Sequence, residues 1–145
     1  MIGLIQRVTR AQVSAEGRPL GAIGPGMLAL IGVKRADERR DADRLLERLL
    51  GYRIFADENE RMNRSLAETG GGLLLVPQFT LAADTARGSR AGFSTAAPPE
   101  QAKMLFEYLL GRARARHAPV AAGEFGAHMQ VMLVNDGPVT FWLDT

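Results

Sequence analysis

The 145 residues predict an α+β fold, a single layered domain over 1–145 with two amphipathic helices packed on mixed or antiparallel sheets in a β/β/α arrangement. Three observations carry this expectation. The run Met27 to Val33 is continuously apolar and bounded by turn residues, and the run Leu73 to Leu81 is apolar up to Pro77, as strands covered on both faces require. Two other stretches, from Asp41 and from Pro98, repeat their apolar residues at helical spacing. The closing stretch sets an Asp-Gly pair between two β-rich runs, a strong hairpin signal.

Taken in order, Ile2 to Ser14 has the composition of a strand, and Glu16-Gly17-Arg18-Pro19 turns it toward Leu20 to Ile23. Gly24-Pro25-Gly26 makes the next turn and opens the first buried run. From Asp41, residues Ala42, Leu45, Leu46, Leu49 and Leu50 form the apolar face of a helix, with arginines and carboxylates opposite. Arg53-Ile54-Phe55 leaves it as a short strand, Asp57 to Glu60 is a polar turn, and the segment around Met62, Asn63 and Ser65 is irregular. After Gly70-Gly71-Gly72 comes the second buried run, in which Pro77 cannot donate to a ladder and so requires an edge or bulge. Strand alternation there puts Gln78 and Thr80 on one face and Phe79 on the other. Asp84 to Thr95 reads as a loop. A second helix begins at Pro98-Pro99-Glu100 and buries Ala102, Leu105, Phe106, Leu109, Leu110 and Ala113. Ala118 to Ala127 connects it to the final hairpin, Met129 to Val134 against Val139 to Leu143, turned by Asn135-Asp136-Gly137-Pro138. No repeat is visible. Within that turn Gly137-Pro138 has one backbone donor fewer than usual and keeps both carbonyls, a unit suited to presenting acceptors away from the sheet.

Composition narrows the function classes. There is no cysteine, which rules out disulfides and thiolate metal sites and fits a reducing cytoplasm. No stretch has the length of a membrane span. Formal charge is only +2, yet sixteen of the eighteen cations are arginine, whose planar fork suits phosphate. Arg87 and Arg90 flank Gly88-Ser89 in a loop, and Arg112, Arg114 and Arg116 crowd a helix end where they also complement the dipole. The usual constellations are missing: His117 and His128 stand in no triad spacing and read as structural or solvated. The carboxylates from Asp37 to Glu60 form a mixed-charge surface, and neither a phosphate loop nor a metal-ligand spacing occurs. Either the chain is not an enzyme, or it works through backbone groups and the substrate's own functional groups.

Val76-Pro77-Gln78-Phe79-Thr80-Leu81 together with Asn135-Asp136-Gly137-Pro138-Val139-Thr140 resembles the motif pair of the D-aminoacyl-tRNA deacylases. The likeness extends through Ile5-Gln6-Arg7-Val8, Arg53-Ile54-Phe55, Met62-Asn63 and Thr140-Phe141-Trp142-Leu143. It implies a homodimer with its active site at the subunit interface, cleaving the ester between a D-amino acid or glycine and the terminal adenosine of tRNA. No cofactor, metal, membrane or DNA partner is implied, and the location implied is cytoplasmic. By position, Gly137-Pro138 matches a Gly-cis-Pro pair that enters the partner's pocket and excludes L side chains. Gln78, Phe79 and Thr80 match the pocket lining. Thr80 is read as a positioning or oxyanion group first and a nucleophile second, and the backbone N–H groups of Phe79 and Thr80 are further oxyanion candidates. Arg7 is a candidate anchor for the Gly-Pro pair, or else a solvent-facing strand arginine, and Arg87 and Arg90 are expected on the tRNA-binding surface. Family members commonly have serine where this chain has Pro77. Two alternatives stand beside this expectation: a deacylase relaxed toward small L-amino acids such as L-alanine, and a non-catalytic RNA-binding dimer.

Overall fold

The computed structural model describes residues 1–145. Its longest strands pair with each other. Strand β1 (Ile2–Ala15) runs antiparallel to β8 (Met129–Asp144) along its whole length. The other edge of β1 is shared between β3 (Gly26–Gly32), which takes Ile2 to Val8, and β2 (Arg18–Ile23), which takes Ala11 to Ala15. Beyond β3 the sheet continues in parallel through β6 (Gly72–Pro77) to the short β7 (Val120–Ala122). A separate ribbon pairs β4 (Arg53–Ala56) with β5 (Met62–Ser65).

Both apolar runs are covered on two sides, and for the expected reason. Met27, Ala29 and Ile31 of β3 and Leu73 and Leu75 of β6 face helices α1 (Arg39–Gly51) and α3 (Pro99–Arg116), packed by Leu45, Leu49, Leu105 and Leu109. Leu28, Leu74 and Val76 point the other way, into a second core with Val8, Ala11, Val13 and Ile23. The layers are therefore helices, the β3–β6 sheet, and the far halves of β1 and β2. Burying one such leucine contributes about 1.5–3 kcal/mol relative to exposure. The helices are fastened at their outer faces by Asp43, which accepts from Tyr108 Oη at 2.9 Å and Arg112 Nε at 3.0 Å. The Tyr108 hydroxyl and Arg112 together hold the Asp43 carboxyl below its ordinary range. His117, at the end of α3, lies 2.7 Å from the Gly71 carbonyl, a structural role.

At Gly26 the backbones of β3 and β6 touch: an added Cβ would lie 2.0 Å from the Gly72 carbonyl oxygen. No larger residue fits there without parting the strands.

Four expectations are corrected. Residues 62–65 form a strand, and Ser65 caps the following turn α2 (Leu66–Thr69), where Ser65 N–H donates to Glu68 Oε2 at 2.6 Å. The connection after α3 contains β7. The run from Leu73 does not stay extended to Leu81. It ends at Pro77, and Phe79–Ala82 winds into a 3-10 turn, so strand alternation does not apply to Gln78, Phe79 and Thr80. Strand β7 covers only Leu73 to Leu75, which leaves an open edge at Pro77 for a residue without a donor. Finally, the closing segment is no hairpin. Both of its halves pair with β1, not with each other, so Asp136 to Val139 is an excursion from one continuous strand. The long β1 offers a complete partner, and it outcompetes the local turn signal.

Candidate active site

At the end of β6 the chain leaves the sheet through Gln78, whose N–H is anchored by the Ile31 carbonyl at 2.7 Å. The following 3-10 turn begins its own bonding with Leu81 N–H to the Gln78 carbonyl at 3.2 Å. The N–H groups of Phe79 and Thr80 thus have no partner within the turn. Gln78 Nε2 donates to Thr80 Oγ1 at 2.5 Å, joining two side chains that a strand would also have put on one face. Beside the turn lies a cavity of about 430 Å³, lined by Val76, Pro77, Gln78 and Phe79 and closed by Phe125, Met129 and the start of α3. Thr80 is exposed and does not line it. His128 lines it from the exposed side.

The second predicted site is the excursion from β8. Gln6 pairs with Thr140 and Val8 with Asn135, so Arg7 alone stands opposite Asp136 to Val139. Arg7 Nε donates to the Asp136 carbonyl at 2.8 Å, and Arg7 Nη1 reaches the Ile54 carbonyl of β4 at 2.7 Å. Asn135 closes the excursion from inside. Its Oδ1 accepts from Val139 N–H at 2.7 Å, and its Nδ2 donates to the Val139 carbonyl and to Thr140 Oγ1, each at 3.1 Å. Gly137 and Pro138 are left exposed, and the peptide between them is cis, as is Ala118–Pro119. A Cβ on Gly137 would meet Val139 Cγ2 at 2.6 Å.

The two motifs do not meet within one chain. Strands β1 and β3 separate β8 from β6, about 14 Å across the sheet. Through the ladder, Pro77 is level with Gly3, four residues from Arg7, which adds about 13 Å along the strands. Strand β8 meanwhile exposes Val131, Met132, Val134, Phe141 and Trp142, with Met132 62 % and Trp142 52 % accessible. Arg87 and Arg90 lie exposed in the loop after the 3-10 turn, whereas Arg112 is bound to Asp43. No cluster of three or more His, Cys, Asp or Glu side chains is placed to hold a metal, and no helix is long and apolar enough to cross a membrane.

The family model described as D-Tyr-tRNA(Tyr) deacylase matches residues 4–144. The chain belongs to that family. Among similar deacylase-family sequences, the D-aminoacyl-tRNA deacylase of Thioalkalivibrio sulfidiphilus is 63 % identical over 144 residues, covering 99 % of this chain and 97 % of that protein. The D-aminoacyl-tRNA deacylase of Azotobacter vinelandii is 62 % identical, with 99 % of each chain covered. A solved structure described as c-Myc DNA Unwinding Element Binding Protein superposes with a TM-score of 0.95 at 35 % identity, covering 100 % of this chain and 99 % of that one. A further structure, of a probable eukaryotic D-amino acid tRNA deacylase, is 16 % identical at a TM-score of 0.83 and shows the same fold. As a member of the deacylase family the chain is a hydrolase.

Sequence reasoning missed two features of this candidate site. Asn135 stands in the turn and in the second motif, with no role of its own legible there. Its amide mimics a backbone pair, which asparagine is suited to do, but that use follows only once residues 135–139 fold back on themselves. Phe93 lies in a stretch without periodicity, and nothing in the sequence brings it to Phe79, whose ring it meets at 5.2 Å.

Proposed function

We propose that this chain, as one domain over residues 1–145, hydrolyses D-aminoacyl-tRNA in the cytoplasm as a homodimer. The Gly137–Pro138 pair of each subunit screens the ester held at the other subunit's Gln78, Phe79 and Thr80. The single observation that carries this reading is the separation of the two motifs across β1 and β3, combined with the exposed apolar face of β8 beside the excursion. A pair of carbonyls standing clear of its own sheet acts on a site elsewhere, and a second copy of the chain supplies one by two-fold symmetry.

In this arrangement the carbonyls of Gly137 and Pro138 accept hydrogen bonds from the substrate's α-ammonium group and fill the volume that an L side chain needs. A D side chain points away from them, and glycine has none, so both pass while L-amino acids are rejected by collision. Arg7 and Asn135 hold the pair in place from opposite sides. At the other motif, the N–H groups of Phe79 and Thr80 receive the oxyanion, and Gln78 orients the Thr80 hydroxyl. Water forms the new bond to the carbonyl carbon, the bond to the ribose oxygen breaks, and that oxygen leaves with a proton. The neighbouring ribose hydroxyl assists this transfer, which accounts for the lack of a side-chain base beside Thr80.

Incubation with D-tyrosyl-tRNA, glycyl-tRNA(Ala), L-tyrosyl-tRNA and L-alanyl-tRNA tests the reading. The first two esters should be lost and the last two retained. Release of L-alanine at a rate like that of D-tyrosine would indicate the relaxed deacylase. No loss above the spontaneous rate would remove the enzyme and leave a nucleic-acid-binding dimer.

A further inference from the structure

The ring of Phe79 does not face the core. It is 58 % accessible, its partner Phe93 is 43 % accessible, and neither belongs to a buried apolar cluster. The rings stand 5.2 Å apart at 38°. Exposed aromatic rings in a slack loop would mean little, but this loop is fastened on both sides of Phe93. Asp84 and Gly92 exchange N–H to carbonyl bonds at 2.8 and 2.9 Å, and beyond Phe93 the Thr95 hydroxyl donates to the Ala82 carbonyl at 2.6 Å. Arg35 Nε adds a bond to the Ser94 carbonyl at 3.0 Å. The segment closed by Asp84 and Gly92 contains Arg87 and Arg90. Both are exposed, and neither has a carboxylate within ion-pair distance.

We infer that Phe79 and Phe93 form a stacking platform for the unpaired nucleotide that precedes the aminoacylated adenosine, with Arg87 and Arg90 taking its phosphates. The occupant follows from the chemistry on either side. Fixed aromatic rings at the base of a closed loop that carries two unpaired arginines match a base joined to phosphate, because stacking accepts any base and the guanidinium forks suit the anion. Its place in the strand rests on the deacylase reading above. The main chain of Phe79 faces the ester of the terminal adenosine, and the ring of the same residue is directed toward Phe93, where the next nucleotide of the strand lies. The paired stem of the tRNA offers no free base face, so the platform takes single-stranded nucleic acid only.

The intact protein and its Phe93→Ala and Phe93→Trp variants are compared on D-tyrosyl-tRNA and on D-tyrosyl-adenosine, which has the terminal nucleoside alone. Phe93→Ala should raise KM for the tRNA ester roughly 5- to 100-fold with kcat little changed. Hydrolysis of the adenosine ester should not change, and Phe93→Trp should restore the tRNA KM. A single-stranded oligonucleotide ending in cytidine-cytidine-adenosine, followed by fluorescence anisotropy, should bind Phe93→Ala more weakly by a similar factor. That binding is read without hydrolysis, so a protein that holds the strand through Phe93 but cleaves neither ester supports the platform and overturns only the deacylase reading. Equal losses on both esters, an unchanged KM with unchanged strand binding, or conversion of a dimer to monomer by Phe93→Ala would overturn the platform.

Discussion

Thr80 shows how far a single side chain can be read. Its hydroxyl oxygen faces the Gln78 amide at 2.5 Å, and an amide takes up no proton in either orientation. A threonine nucleophile needs a neighbouring base, so the geometry suits Thr80 to orienting the substrate or supporting the oxyanion. Thr80→Ala should therefore lower kcat roughly 10- to 100-fold while KM for D-tyrosyl-tRNA stays within about twofold. Parallel loss of kcat and tRNA binding, measured under single-turnover conditions, would contradict that role. Gln78 and Thr80 were legible in the sequence as a pair, because two polar side chains emerging from an apolar run ask for an explanation. Asn135 and Phe93 were not, since each acquires its role only through a neighbour that folding brings to it.

At the level of elements, the two buried strands and both helices were legible, because burial on two faces and helical amphipathicity leave periods that sequence displays directly. The closing strand was not. Asn-Asp-Gly between β-rich runs is a local signal, whereas pairing with β1 is decided by a partner more than a hundred residues away. Pro77 marked a break correctly but could not say that a 3-10 turn follows. Among the glycines, Gly26 leaves the least room for a side chain, against Gly72 of β6, and it lies at the opposite end of β6 from Gln78. Gly26→Ala should therefore destabilise the fold by about 2–4 kcal/mol through strand separation. Urea unfolding measures this, and a change below about 0.5 kcal/mol would show that the strands part freely.

For the whole molecule, distance along the β8–β1–β3–β6 sheet has a genetic corollary. If screening pair and pocket come from different subunits, two separately crippled chains can rescue each other. Gly137→Val pushes into Val139, and Phe79→Pro removes an N–H at the first position of the 3-10 turn, where proline is sterically acceptable. Each homodimer should be nearly inactive on D-tyrosyl-tRNA, whereas co-expressed chains should recover about a quarter of the wild-type activity. About half of the randomly assembled dimers are mixed, and each of these has one composite site intact. Absence of recovery in verified mixed dimers would assign both motifs to a single subunit. Such interallelic rescue would also make an unpaired subunit incapable of turnover, so that dilution alone would switch off the chemistry.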